Sequence, residues 1–401
     1  MVLHIVQLST RLNRICLYFF LLMAVSCCKD EQSSIHFAWS YEMPRLSSPY
    51  IYWYGAKIMP LYGTTIVTHT TLYDDVGISD NRLCGFDISK RQIEWIYPED
   101  IDKRQNIVFD NLGYQVQDIF VVKYVETLVD GTHMTHVSGV DIKTGQEKWI
   151  FSESTIDLAT FCPDIVGDGD YCFFVNDGKR VYRTNINNGE TRLFYSDDRL
   201  SIANSPLLLD NNQVGLVLYD YFGDSKEEKI ILINADTNEI ESTFYLPKYD
   251  SLSGRSAKVI NDRDSFYCSI AHYICSINSK TGAIEWETWT PGYDDANNML
   301  VEQGVLIKAG LSATIVIDAK TGESIYQFPN LGADLISIYG DLVLYITSYG
   351  SLLLMSLEDG NIIQEVKCPD KGEYFFGSFP VVYDKNLYIM GITKLYCFDI
   401  N

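Results

Sequence analysis

From residue 84 to the end of the chain, apolar stretches and short polar turns alternate in one recurring order. An apolar residue precedes an Asp, Asn or Ser; a glycine or a substitute stands four positions on; an aromatic often stands eight positions on. The polar anchors are Asp87, Asp141, Asn185, Asn234, Asn278, Asp318, Ser356 and Asp399, at intervals of 54, 44, 49, 44, 40, 38 and 43 residues. Seven of them follow an apolar residue, namely Phe86, Val140, Ile233, Ile277, Ile317, Met355 and Phe398. That pattern predicts a buried strand running into each turn. The strand leaving the turn alternates, as in Glu285-Trp286-Glu287, which predicts one covered and one exposed face.

The turn chemistry follows from the residue types. Asp, Asn or Ser can accept a hydrogen bond from the backbone two residues on, and Gly or Asn tolerates positive φ. Gly145, Gly189, Gly282, Gly322, Gly360 and Asn238 fit that role, so a tight hairpin with a left-handed exit residue is expected. Arg91 stands where the others have glycine, which predicts a different turn there. Trp95, Trp149, Trp286 and Tyr326 occupy the aromatic position, with Leu193, Ser242 and Gln364 in other copies. A buried aromatic removes about 150–250 Å² from water, roughly 4–6 kcal/mol gross as an upper bound. Such a residue suits a wedge between neighbouring sheets.

A repeat of this period marks a radial or stacked array, because one unit cannot bury its own apolar face. The ends of the chain select the radial form. The last residues, Leu395 to Asn401, are an entering strand with no partner after its turn, and His36 to Glu42 reads as a leaving strand with nothing before it. Joined, they complete an eighth sheet and leave no open edge at the seam. The expected fold is all-β: an eight-bladed β-propeller of four-stranded antiparallel blades, closed by pairing of the N- and C-terminal strands.

The pattern resembles the PQQ-like, quinoprotein-type β-propeller repeat, whose consensus is a strand, Asp-Ala-x-Thr-Gly, and a Trp a few residues on. Val-Asp-Ile-Lys-Thr-Gly-Gln-Glu-Lys-Trp, ending at Trp149, and Ile-Asp-Ala-Lys-Thr-Gly, ending at Gly322, carry the likeness. It covers the chain from Phe37 to Asn401. The resemblance implies a fold more than a function, since the family includes dehydrogenases and non-catalytic scaffolds. Its enzymes hold their cofactor with a Trp platform, a calcium ion, a catalytic Asp and an adjacent Cys-Cys pair. The adjacent pair in this chain is Cys27-Cys28, ahead of the propeller, so no active-site residue transfers and no cofactor is expected.

Residues 1–26 read as a signal peptide: Arg11 and Arg14 precede an apolar run from Ile15 to Val25, too short to span a bilayer. Ala24-Val25-Ser26-Cys27 resembles a lipoprotein lipobox, with Cys27 the lipid-attachment residue, 27–35 a lipidated tether and 36–401 the propeller. Lys29-Asp30-Glu31 resembles the tract by which some Gram-negative lipoproteins reach the cell surface; a solvated linker is the plain alternative. An exported outer-membrane lipoprotein, facing the periplasm or the medium, is therefore expected.

Composition narrows the partners. The net charge of −22 becomes −24 once the two leader arginines are removed, which gives no cluster to hold a phosphate backbone and excludes nucleic acid. The lipid alone is assigned contact with the membrane. Seven cysteines lie within the propeller, and Cys268 with Cys275, or Cys162 with Cys172, could face each other across hairpins; small apolar packing is the alternative. His133 and His136 point to opposite faces of any strand, so a surface hairpin is expected rather than a metal site. Asp74-Asp75, Asp164 with Asp168 and Asp170, and Asp294-Asp295 lack calcium-loop spacing and read as solvated loops.

These features point to a lipid-anchored, non-enzymatic envelope scaffold that binds a protein partner. In repeat type, anchor and blade count the chain is similar to the propeller lipoprotein of the outer-membrane barrel-assembly machinery. A surface lipoprotein binding a glycan or other small ligand is the second expectation, with Tyr50, Tyr52, Trp53 and Tyr54 as candidate rim aromatics. A quinoprotein-like oxidoreductase is the third. It would bind quinone and calcium and reduce a dye with an alcohol or sugar.

Overall fold

The computed structural model describes residues 34–42, 58–73, 79–98, 107–109, 113–128, 130–155, 165–202, 204–210, 212–220, 228–247, 258–262, 264–270, 272–290, 298–309, 313–329, 336–347, 349–375, 380–391 and 393–400. These form eight antiparallel sheets and, among the described residues, no helix.

Seven blades follow in chain order, each meandering outward from a short inner strand. Blade 1 runs through Ile58–Tyr62, Thr65–Tyr73, Ser79–Asp87 and Gln92–Tyr97. In blade 2 the inner edge is split between Ile107–Phe109 and Tyr114–Val116; Ile119–Thr127, His133–Asp141 and Glu147–Thr155 follow. Blade 3 comprises Val166–Asp168, Tyr171–Asn176, Arg180–Asn185 and Thr191–Ser196. Blade 4 has a split inner edge too, Ser201–Ile202 and Leu207–Leu209, before Gln213–Tyr219, Glu228–Asn234 and Ile240–Tyr245. Blades 5, 6 and 7 begin at Lys258–Asp262, Asn298–Glu302 and Ile336–Tyr339 and end at Ile284–Trp289, Ser324–Pro329 and Ile362–Val366.

Blade 8 is shared by the two ends of the chain. Val381–Tyr383, Asn386–Met390 and Lys394–Ile400 supply three strands, and Ile35–Glu42 adds the fourth on the outside. Ile35 pairs with Ile400, Trp39 with Cys397 and Glu42 with Lys394. The expected closure is present.

Burial explains the pattern of the sequence. The two middle strands of a blade are covered on both faces by the neighbouring blades, so they read as apolar runs; Leu342–Ile346 is buried at every position. Outer strands have one free face and alternate, as Ile284–Trp289 does. The apolar side chains therefore gather in layers between blades. Leu216 and Val214 of blade 4 meet Phe173 and Val181 of blade 3, and Val121 of blade 2 meets Phe174 of blade 3. Inner strands of blades 2 to 7 touch in succession around the axis, and those of blades 8 and 1 touch as well.

Candidate functional site

The anchor turns form one rim of the ring, and those of Asp87, Asp141, Asn234, Asn278 and Asp318 are built the same way. The Asp141 carboxylate accepts the N–H groups of Lys143 and Thr144, Asn278 those of Lys280 and Thr281, and Asp318 those of Lys320 and Thr321. The exit residues Gly145, Gly282 and Gly322 take φ of 69°, 70° and 76°. Arg91, expected to mark a different turn, has φ 55°, and Asp87 accepts from Ser89 and Lys90 as its counterparts do. The turn is the same; an Arg side chain is held in a left-handed conformation that usually favours glycine. Burial pushes the Asp141 carboxyl up, but the Lys148 ammonium and the turn N–H groups outweigh it, and its pKa falls below the ordinary value.

The residue after each anchor joins a blade to itself and to its neighbour. Its N–H donates to the inner hairpin of the same blade in all eight copies: Ile88 to Thr64, Ile142 to Asp118, Ile186 to Asp170, Ala235 to Asn212, Ser279 to Asp264, Ala319 to Gly304, Leu357 to Asp341 and Ile400 to Lys385. In three copies its carbonyl also receives the wedge of the preceding blade. Trp95 Nε1 donates to the Ile142 carbonyl at 2.7 Å, Trp149 to Ile186 at 2.6 Å and Trp286 to Ala319 at 3.1 Å; the Tyr326 hydroxyl instead reaches the carbonyl of the anchor itself, Ser356, at 3.2 Å. Each ring also lies on the next blade's glycine: Trp95 on Gly145, Trp149 on Gly189, Trp286 on Gly322 and Tyr326 on Gly360. A side chain there would strike the ring.

The interfaces whose wedge the sequence left weak are held by other chemistry. In seven blades the register slips one residue before the wedge, as between Glu147 and Trp149, which turns that residue into the interface. In blade 3 the slip falls two residues later, Phe194 goes inside and Leu193 is 48% exposed. Arg183, from the adjacent strand, takes over: it lies over the Tyr171 ring at 3.8 Å and its Nη1 donates to the Ala235 carbonyl. Phe244 covers Gly282 between blades 4 and 5. Gln364 of blade 7 pairs through its amide with both the N–H and the carbonyl of Ile35, at 2.8 Å each. Trp39 stands in the wedge register of blade 8, opposite Cys397, and meets Arg91 of blade 1. The sequence pattern alone shows none of these four roles: Arg183 and Phe244 lie outside the repeat position, Trp39 stands before the first copy, and Gln364 occupies the position without an aromatic ring.

With the repeat residues engaged between blades, the exposed chemistry lies elsewhere. The inner strands end at the anchor-turn rim with Asp168, Asp262 and Glu302 exposed and with Tyr339 and Tyr383 about equally open. The opposite rim carries a polar network between blades 2 and 3. There Glu153 accepts from Arg180, Tyr182 and Asn176, Arg180 also holds Asp177, and Thr135 donates to Asn176. Burial, then the bond to Glu153, pushes the Tyr182 phenol up to about 12. Further round that rim, Tyr349 is 83% exposed, and Tyr374 packs on Gly350 beside it.

Other expectations resolve individually. His133 and His136 do point to opposite faces, but they lie in a strand of blade 2 rather than a surface hairpin. His136 is buried, stacked on Tyr124 and bonded to Glu126 and Ser152, because the middle of a blade is covered on both faces. Cys268 and Cys275 are opposite one another, whereas Cys172 faces Gly167 and Thr184. Asp168 and Asp170 lie in a hairpin, Asp170 accepting from Asn187. Cys27, Cys162, Tyr50, Tyr52, Trp53, Tyr54, Asp74, Asp75, Asp164, Asp294 and Asp295 lie outside the described residues.

Quinone cofactors of this fold class require a tryptophan platform at the axis. Trp95, Trp149 and Trp286 are bonded into blade interfaces, Trp39 is packed at the seam and Trp289 is on an outer strand, 60% exposed. The described tryptophans do not fit such a platform. Among the described residues no three His, Cys, Asp or Glu side chains group to hold a metal ion.

By sequence the chain matches no protein-family model and no curated protein. Solved structures do match. BamB from Moraxella catarrhalis superposes with a TM-score of 0.61 at 14% identity, covering 91% of this chain and 100% of that one. A europium-containing methanol dehydrogenase gives 0.60 at 12%, covering 91% and 93%; the quinohemoprotein alcohol dehydrogenase ADHIIG from Pseudomonas putida HK5 gives 0.60 at 10%, covering 91% and 76%. At these identities the likeness is one of fold. The chain has the PQQ-like β-propeller fold, which BamB and quinone-type dehydrogenases share.

Proposed function

We propose that this protein is a lipid-anchored scaffold of the cell envelope that holds a protein partner, with a role in outer-membrane protein assembly as its most specific form. The observation that carries the reading is that the repeated aromatic, glycine and anchor residues described here interlock the blades. The repeat thus builds a rigid ring, and recognition is left to the rims, whose loops differ from blade to blade. The fold shared with BamB supports it.

The tether also orients the ring. Ile35 pairs with Ile400, the residue after the last anchor, so the chain enters at the anchor-turn rim. Eight residues separate Cys27 from Ile35, a reach of at most about 29 Å. A lipid on Cys27 keeps that rim toward the membrane and turns the rim with the Glu153–Arg180 network toward the partner.

Crosslinking on intact cells followed by pull-down tests the proposal. Recovery of barrel-assembly proteins supports it. Release of the Cys27→Ala protein from the membrane fraction supports the anchor, and unchanged membrane retention refutes it. A glycan-binding reading is favoured by exposed Tyr349 with Tyr374 close by, which offer flat aromatic faces. Recovery of polysaccharide-uptake proteins, lost on Tyr349→Ala, would replace the first reading with the second.

A further inference from the structure

We infer that Cys268 and Cys275 are a disulfide-forming pair that locks together the two middle strands of blade 5, Ser265–Ile270 and Tyr273–Asn278. They are direct partners in register, and both are wholly buried. Opposed residues of antiparallel strands keep their Cα atoms about 4.5–5.5 Å apart. A disulfide accepts about 4.4–6.8 Å. The backbone therefore needs little movement to close the bond.

The same place in other blades is filled differently. Phe174 faces Tyr182 in blade 3, Leu216 faces Ile231 in blade 4 and Tyr345 faces Leu353 in blade 7. Two small thiols stand where those blades put large side chains. Other described cysteines have no such partner: Cys84 faces Thr68 and Ile96, Cys172 faces Gly167 and Thr184, and Cys397 faces Tyr388 and Trp39. Among the described residues this is the one cross-strand pair of cysteines.

The reaction is a thiol–disulfide exchange. One thiolate attacks the disulfide of an oxidant, either a protein disulfide or oxidised glutathione, and forms a mixed disulfide. The second thiolate displaces it, so that Sγ–Sγ forms, two S–H bonds are lost and the oxidant leaves as two thiols. The bond to Cys275 and burial push the Cys268 thiol well up, which removes the reactive thiolate from the folded blade. Oxidation therefore takes place before blades 4 and 6 enclose blade 5. Burial then shields the bond from reductants. Its formation in cells rests on the export proposed above, since that compartment supplies the oxidant.

Trypsin places both cysteines in one peptide, Asp264 to Lys280, so the bond appears as a peptide two hydrogens lighter that resists alkylation until reduced. Reduced, unfolded full-length chain refolded with oxidised glutathione should yield that peptide. The Cys268→Ala variant, treated alike, should leave Cys275 open to alkylation once unfolded. Two alkylated thiols in the refolded native chain, or either cysteine joined to a different one, would overturn the pairing. Protein taken from cells and alkylated at lysis gives the second arm. The light peptide there supports both pairing and export; free thiols there, with the bond formed on refolding, overturn export and leave the pairing in place.

Discussion

Trp39 and Arg91 meet across the seam of the ring, the guanidinium carbon 5.1 Å from the centre of the indole. Each is an exception in the sequence: Trp39 precedes the first copy of the repeat, and Arg91 replaces a glycine. Together they solve one problem. The eighth wedge comes from the N-terminal strand, and the arginine covers it where its counterparts lie against a bare glycine.

Trp95→Ala removes a buried ring that packs on Gly85 and Gly145 and donates to Ile142. The expected loss is about 3–5 kcal/mol. Trp289→Ala, on an outer strand and mostly exposed, should change stability by no more than about 0.5 kcal/mol. Urea unfolding of the two variants separates interlocking from surface aromatics; equal losses would contradict the wedge assignment.

A methyl group on Gly145 would lie 2.7 Å from the Trp95 ring at a φ of +69°. Gly145→Ala should therefore cost at least about 1–3 kcal/mol. Arg91→Gly relieves backbone strain but gives up the contact with Trp39, about 0.5–1 kcal/mol. Its net effect should be small, and thermal melts of the pair show whether the two turn positions differ in this way.

Arg183 does for blade 3 what a tryptophan does elsewhere. Arg183→Leu loses the bond to the Ala235 carbonyl and the stack on Tyr171, an expected loss of about 1–3 kcal/mol. Adding Leu193→Trp should not restore it, because the later register slip sends residue 193 outward. Full rescue in denaturant titrations would show that the bulge does not set the interface.

Backbone N–H and hydroxyl bonds from Thr321 hold the Asp318 carboxyl below its ordinary value. A lowered folded pKa gives stability that is complete above the unfolded value, near about 4, and is lost as pH falls through the folded one. Asn stands at the same place in Asn234 and Asn278 and accepts the same two N–H bonds. Asp318→Asn should thus match the native chain near neutrality and lose less between about pH 4 and pH 2. Parallel unfolding curves at both ends of that range test the sign.

Much of the architecture is local, and the sequence by itself determined it. Anchor, glycine and wedge sit within nine residues, so the turn and its strands follow from neighbouring side chains. The seam was legible for a related reason: an unpaired half-sheet at each end has one way to satisfy its edge. What the tertiary structure alone decided is how neighbouring blades meet. Arg183 and Ala235 are 52 residues apart, and Gln364 and Ile35 are 329 apart. Those contacts depend on register slips and on which strand faces the gap, and no pattern within one copy records them. The same holds for the opposed thiols of blade 5, which only pairing in register brings face to face.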